Sequence, residues 1–258
     1  MKKIFILIFF LITTKTVLAS SVNVYCAADL VYAMDEIKKE YLKLYPQDDI
    51  KFIFGSSGKG YTQIINGAPY DIVFSADMEY VIKLESAGFT ISEPKPYAVG
   101  RIVIWKRKKS DIDLNKHINS LLNPNITKIA IADWSHAPYG VAAKECLEHF
   151  NIFDKVKSKF VLGENISQTA QFVQLGAADI GILAYSVALS EKLKKDGDFI
   201  LLPTSCHSEI KQGYAILKNA QKDKEKLEIS KRFYNFVTNP KAREIFIKYG
   251  FTLPGEVK

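Results

Sequence analysis

The sequence predicts an α/β protein of two lobes, and three observations carry that expectation. Short apolar stretches alternate with segments of helical period along most of the chain, the pattern of sheets covered by helices. The length, 258 residues, exceeds the roughly 100–150 residues typical of one domain and suits two, each with its own core. No internal repeat and no low-complexity linker breaks the alternation.

Taken in order, the chain opens with Lys2 and Lys3, an apolar run from Ile4 to Ile12, and Val17-Leu18-Ala19. That is the layout of a signal peptide, residues 1–19, cleaved after Ala19. The run is less than half of the ~20 residues needed to span a bilayer as a helix. A lipid anchor needs a cysteine just after the cut, and the first is Cys26, so a freely diffusing secreted protein is expected. Strands are predicted at Val22 to Cys26, Ile50 to Phe54, Asp71 to Phe74, Arg101 to Trp105, Lys128 to Ala132, Ile180 to Ala184 and Ile200 to Leu202, in mostly parallel sheets. The first helix is the clearest, since Leu30, Met34, Ile37 and Tyr41 share one face and Pro46 lies beyond its end. Others are predicted from about Gly58 to Ile65, Gly140 to Phe150, Ser167 to Leu175 and Glu225 to Val237, with a last one ending near Tyr249-Gly250.

Composition excludes several functions. Three of the net positive charges belong to Lys2, Lys3 and Lys15 of the leader, and the other lysines are scattered without aromatic interleaving, so nucleic acid is not an expected partner. Cys26, Cys146 and Cys206 are odd in number and widely spaced, which permits at most one bridge and fits no zinc pattern. They read as small buried side chains. There is no G-x-S-x-G elbow, and Gly55 to Gly60 lacks the G-x-x-x-x-G-K spacing of a nucleotide loop. His117, His149 and His207 lack metal-ligand spacing, and His136 reads as a surface or capping residue beside the Pro138 turn. No catalytic residue, cofactor or protein-ligated metal is predicted.

Four strand-to-helix junctions share small and turn-forming residues: Ala27-Ala28-Asp29-Leu30, Gly55-Ser56-Ser57-Gly58, Ala137-Pro138-Tyr139-Gly140 and Gly163-Glu164-Asn165-Ile166-Ser167. In open α/β sheets ligands sit where strands end and helices begin. A helix start offers unpaired N–H groups and about half a positive charge, so several converging starts form an anion site without lysine or arginine. Hydroxyls such as those of Ser56 and Ser57 add donors.

These junctions, together with Gln63-Ile64-Ile65-Asn66-Gly67-Ala68-Pro69-Tyr70-Asp71, Ser75-Ala76-Asp77 and Tyr249-Gly250-Phe251, resemble the periplasmic molybdate-binding proteins of ABC importers over nearly the whole mature chain. The resemblance implies the type II periplasmic solute-binding fold, two lobes closing on a tetrahedral oxyanion in the cleft between them. It places lobe one at 20–98 and 206–258 and lobe two at 99–205. It implies a ligand shell of the Ser57 hydroxyl and N–H and the backbone N–H groups of Asp29, Tyr139 and Ile166, with Ala28, Ser56 and Asn165 as further cleft residues. Some members add a tyrosine hydroxyl from the strand beginning Gly181-Ile182; here that position is Ala184, and Tyr185 points to the other face. The implied role is capture of molybdate or tungstate in the periplasm by a monomer that delivers it to an inner-membrane ABC permease. The alternatives are a receptor for phosphate or sulfate, or a non-transport binding or adhesion relative.

One residue departs from that pattern, for the family commonly has serine or asparagine where this chain has Asp29. At about 4 Å from a dianion, in an effective dielectric near 20, an ionised aspartate would repel it by roughly 8 kcal/mol. Asp29 is expected to turn away and cap its own helix; otherwise it holds a proton, or the ligand brings one.

Overall fold

The computed structural model describes residues 20–255. The leader read at residues 1–19 lies outside the described residues. Among the described residues, ten strands form two five-stranded sheets. The first contains β1 (Ser21–Ala27), β2 (Asp49–Gly55), β3 (Ile72–Ser75), β4 (Lys95–Gly100) and β10 (Ile210–Ile216), in the order β2-β1-β3-β10-β4. The second contains β5 (Ile102–Arg107), β6 (Ile129–Ala132), β7 (Phe160–Gly163), β8 (Ile180–Ala184) and β9 (Gly197–Leu201), in the order β7-β6-β8-β5-β9. The chain passes between sheets at Arg101 and returns over residues 202–209.

The expectation of mostly parallel sheets is corrected. β1 runs parallel to β2 and β3, and β6 to β7 and β8, but β10 is antiparallel to β3 and β4, and β5 to β8 and β9. The reason is topological: β5 and β10 are the first strands after each passage between sheets and enter from the opposite end. Strands β4, β7 and β10 are absent from the sequence reading. Lys95 and Pro96 interrupt the apolar pattern of β4, β7 is edge-placed and only half-buried, and Gln212-Gly213 falls inside β10.

Helices α1 (Val31–Leu44), α2 (Ser57–Ile65) and α3 (Met78–Ser86) follow β1, β2 and β3. In the second body α4 (Pro138–His149) and the short α5 (Phe153–Val156) follow β6, α6 (Ile166–Gln174) follows β7, and α7 (Tyr185–Ala188) and α8 (Glu191–Asp196) follow β8. The chain closes with α9 (Lys224–Phe236) and α10 (Pro240–Lys248) against the first sheet. The buried face of α1 is Ala33, Met34, Ile37 and Tyr41, the stripe its helical period predicts.

Two bodies of packing result. Met34, Ile37, Ile50, Ile72, Phe74, Tyr214, Phe233 and Phe246 fill the first, and Ile104, Trp105, Ile131, Leu147, Val173 and Ile182 the second. In the first, Asp48 on the turn before β2 is buried and takes a two-point contact from Arg232 of α9, Nη2 to Oδ1 at 2.7 Å and Nε to Oδ2 at 3.1 Å, with the Tyr41 hydroxyl also donating to it. Truncating Arg232 strands a buried carboxylate, so Arg232→Ala is expected to lower stability by about 3 kcal/mol, read from urea unfolding.

The three cysteines do not all stay free, which corrects their reading as merely small buried groups. Cys146 of α4 is bonded to Cys206 on the 202–209 passage, and Cys26 is buried and unpaired. A partner 60 residues away, in a segment without a spacing motif, is chosen by the fold and not by local pattern.

Candidate functional site

The four junctions named from sequence meet at one place. β1 ends in a short 3-10 turn, Ala28–Leu30, holding Asp29; β2 leads into α2 at Ser57; β6 leads into α4 through Ala137 and Pro138; β7 leads into α6 through its cap Asn165. Asp29, Ser57, Tyr139 and Ile166, with Ala28 and Ser56, line one cavity of about 10 Å³, the space a single water needs. Asn165 does not line it; its side chain accepts the Gln168 N–H at 3.0 Å and starts α6.

Helix starts give the cavity partial positive charge without a cation. Ser57 and Ile166 are the first residues of their helices, and Tyr139 follows Pro138 at the start of α4. N–H groups in a first helical turn have no intrahelical acceptor and carry the positive end of the helix dipole. The Ser57 Oγ accepts the Ala76 N–H at 2.9 Å, which leaves its proton free to donate inward. Among the described residues lining the cavity there is no lysine, arginine or histidine. A groove of about 820 Å³ between α1 and α8 lies elsewhere and carries mixed charge.

Asp29 does not cap its helix, and that expectation is corrected. No capping bond is made at this turn. The carboxylate instead reaches toward the second body, where its Oδ2 accepts from the Tyr139 hydroxyl of α4 at 2.8 Å, and the same oxygen accepts from Gln212 Nε2 of β10, in its own body, at 2.7 Å. Burial pushes its pKa up to about 6, against the pull of Gln212, Tyr139 and its own N–H. Tyr139 thus contributes its ring hydroxyl as well as a backbone N–H, a role missed in sequence. Gly100 makes room for that hydroxyl, since a Cβ there would lie 2.2 Å from it. Gln212 was also missed, because a lone glutamine on an unrecognised strand carries no signal. Tyr185 packs against Phe199 and Gly250, outside the cavity.

Around the cavity the two bodies are bonded to each other. Ser167 Oγ donates to the Ala28 carbonyl at 2.8 Å and Ser186 Oγ to the Asp29 carbonyl at 2.9 Å. The Gly58 N–H donates to the His136 carbonyl at 2.9 Å, and Ser56 Oγ meets His136 Nδ1 at 2.9 Å. Each such bond contributes about 0.5–1.5 kcal/mol, so together they hold a closed arrangement. The Lys59–Glu164 pair at 3.0 Å joins the same rim but is half exposed and adds little. Ser56, His136 and Asp133 have the residue types of a hydrolytic triad, but His136 Nε2 and Asp133 Oδ2 are 3.6 Å apart, beyond a hydrogen bond, and Ser56 is buried in the contact between bodies. His136 is a contact residue across the cleft rather than a surface cap. Gly55 and Gly60 are glycines for Tyr25, whose hydroxyl would lie 2.2 Å from a Cβ at Gly55 and whose ring 2.2 Å from one at Gly60.

This arrangement has relatives. The sequence matches the bacterial extracellular solute-binding protein family over residues 22–252. A molybdate-binding protein of Rhodobacter capsulatus is 32% identical over 203 residues, 78% of this chain and 77% of that protein. One from Azotobacter vinelandii is 31% identical over 237 residues, 91% of each chain. The structure of the Azotobacter vinelandii periplasmic molybdate-binding protein superposes with a TM-score of 0.81 at 28% identity, covering 90% of this chain and 99% of that one. With the family's two mixed sheets and helix starts gathered on one small cleft, the chain belongs to the bacterial extracellular solute-binding proteins.

Proposed function

We propose that this protein captures molybdate or tungstate in the periplasm and delivers it to an ABC permease in the inner membrane. The observation that carries this reading is the cavity itself. Three helix starts and the Ser57 hydroxyl gathered on one small cavity suit a bare tetrahedral oxyanion held by N–H and O–H donors. The relatives' names point to the same ligand. The ligand shell is then the Ser57 hydroxyl and N–H with the N–H groups of Tyr139, Ile166 and Asp29.

The two bodies act as lobes hinged at Arg101 and at residues 202–209. An open form takes the anion on one lobe, and donors of the other complete the shell, so the closed form signals occupancy to the permease. The chain works as a monomer after removal of its leader. Sulfate is excluded by size, because a rigid shell fitted to the larger molybdate holds a smaller anion at longer distances. Calorimetric titration with molybdate, tungstate and sulfate tests this: the first two are expected to bind alike and sulfate far more weakly, and equal binding of sulfate would overturn it. Ser57→Ala is expected to weaken molybdate binding by about 1–3 kcal/mol, since one charge-assisted donor is lost while the backbone donors remain.

A second reading, a receptor for hydrogen phosphate, is favoured by one observation: Asp29 lines the cavity, and its buried carboxylate oxygen Oδ1 has no hydrogen-bond partner. The same titration with phosphate decides between them.

A further inference from the structure

We propose that Asp29 binds the anion as a neutral carboxylic acid, with one proton held between its Oδ1 and a ligand oxygen, so that each fully deprotonated dianion is captured together with one proton. The proposal rests on the oxyanion reading above and specifies the chemistry of the same site. Asp29 is 1% exposed and lines the cavity. Its two oxygens have different surroundings. Oδ2 takes the Tyr139 hydroxyl and Gln212 Nε2, while Oδ1 is buried with no partner.

The donors are directed by their own contacts. Gln212 Oε1 accepts the Tyr97 hydroxyl, which turns its amide nitrogen toward Asp29, and the same nitrogen donates to the Tyr139 oxygen at 3.0 Å. Tyr139 therefore spends its single proton on Oδ2. With Oδ2 occupied as an acceptor, a proton on the carboxyl resides on Oδ1, where it is a donor for an anion. An ionised carboxylate touching a dianion would leave two unscreened like charges in a buried site.

The groups facing Asp29 supply no compensating cation. Tyr139 from α4, Tyr97 from β4 and Cys26 from β1 are all pushed up by burial and neutral. From α7 and α6 the contacts to this turn are the hydroxyls of Ser186 and Ser167, and Asp35 of α1 adds negative field at Cys26. In the closed form burial already raises the Asp29 pKa to about 6. A raised carboxyl pKa favours the closed form in acid, and the advantage is lost as pH rises through that value. A bound dianion moves the window further up, so proton uptake extends through neutral pH. The donor bond strengthens with the basicity of the acceptor, which adds discrimination against sulfate, the weakest base among these dianions, beyond what size supplies.

The test is calorimetry of molybdate binding to the full mature chain at pH 6 to 9, in buffers of differing ionisation enthalpy, with Asp29→Asn alongside and thermal unfolding to verify that it folds. The wild type is expected to take up close to one proton per anion at pH 7.5 and to lose affinity about tenfold per pH unit above neutrality. Asp29→Asn keeps an oxygen for Tyr139 and Gln212 and presents an N–H in place of the acid proton. It is expected to bind with no proton uptake, at an affinity flat with pH and higher than wild type at pH 9. Molybdate binding to the wild type without proton uptake would overturn the shared proton and leave the ligand reading intact. Hydrogen phosphate bound tightly by wild type and lost in Asp29→Asn, with no molybdate binding, would overturn the molybdate reading and support the shared proton, since that anion brings its own. No oxyanion bound by either variant at pH 6 would overturn both.

Discussion

Removing the Cys146–Cys206 bond is expected to lower stability by about 4 kcal/mol, the loop-entropy value for a closure of this length. The bond joins α4 to the 202–209 passage between sheets, so its loss frees one of the two connections while the cores on either side stay intact. Cys146→Ala/Cys206→Ala, compared with wild type in urea with and without reductant, measures the effect. Reductant should move only the wild type, because Cys26 is buried and unpaired. A loss below 1 kcal/mol would show that the passage is held by its other contacts, such as the Ser208 N–H on Glu145 at 2.7 Å. Anion affinity is expected to change less than stability, since neither cysteine lines the cavity.

Gly140→Ala is expected to damage fold and binding together. Gly140 is the residue of α4 that lies on β6, and a Cβ there would fall 2.2 Å from the Ala132 carbonyl oxygen and 2.8 Å from the Trp134 nitrogen. Both are backbone atoms and cannot rotate away, so α4 must shift, at a cost of about 2–3 kcal/mol. The shift carries Tyr139 with it, moving its N–H and its hydroxyl on Asp29 out of position. Molybdate affinity is therefore expected to fall by more than tenfold, a larger loss than Ser57→Ala produces, because two contacts of the shell move at once. Urea unfolding and calorimetry on the same sample check both. Wild-type affinity in a destabilised Gly140→Ala would show that the start of α4 is not part of the ligand shell.

The α/β class, seven of the strands and helices α1, α2, α4, α6, α9 and α10, though not α3, were legible in the residues themselves, because a buried strand or an amphipathic helix writes its own period. The helix starts of the site were legible for the same reason: Ser56-Ser57, Pro138-Tyr139 and Asn165-Ile166 are local signals, set by which residues tolerate the end of a helix. What tertiary structure alone decided has no local period. The antiparallel entry of β5 and β10 follows from the passages between sheets, and the pairing of Cys146 with Cys206 from two segments folded together across 60 residues. The state of Asp29 belongs to the same class. An aspartate at a helix start reads as a cap, and only the arrival of Tyr139 and Gln212 from two distant elements turns its carboxylate inward, buries it and leaves one oxygen unpaired. Sequence set where the helix starts of the cleft fall; the fold decided the surroundings of the Asp29 carboxyl, because burial and long-range hydrogen bonds come only from tertiary structure.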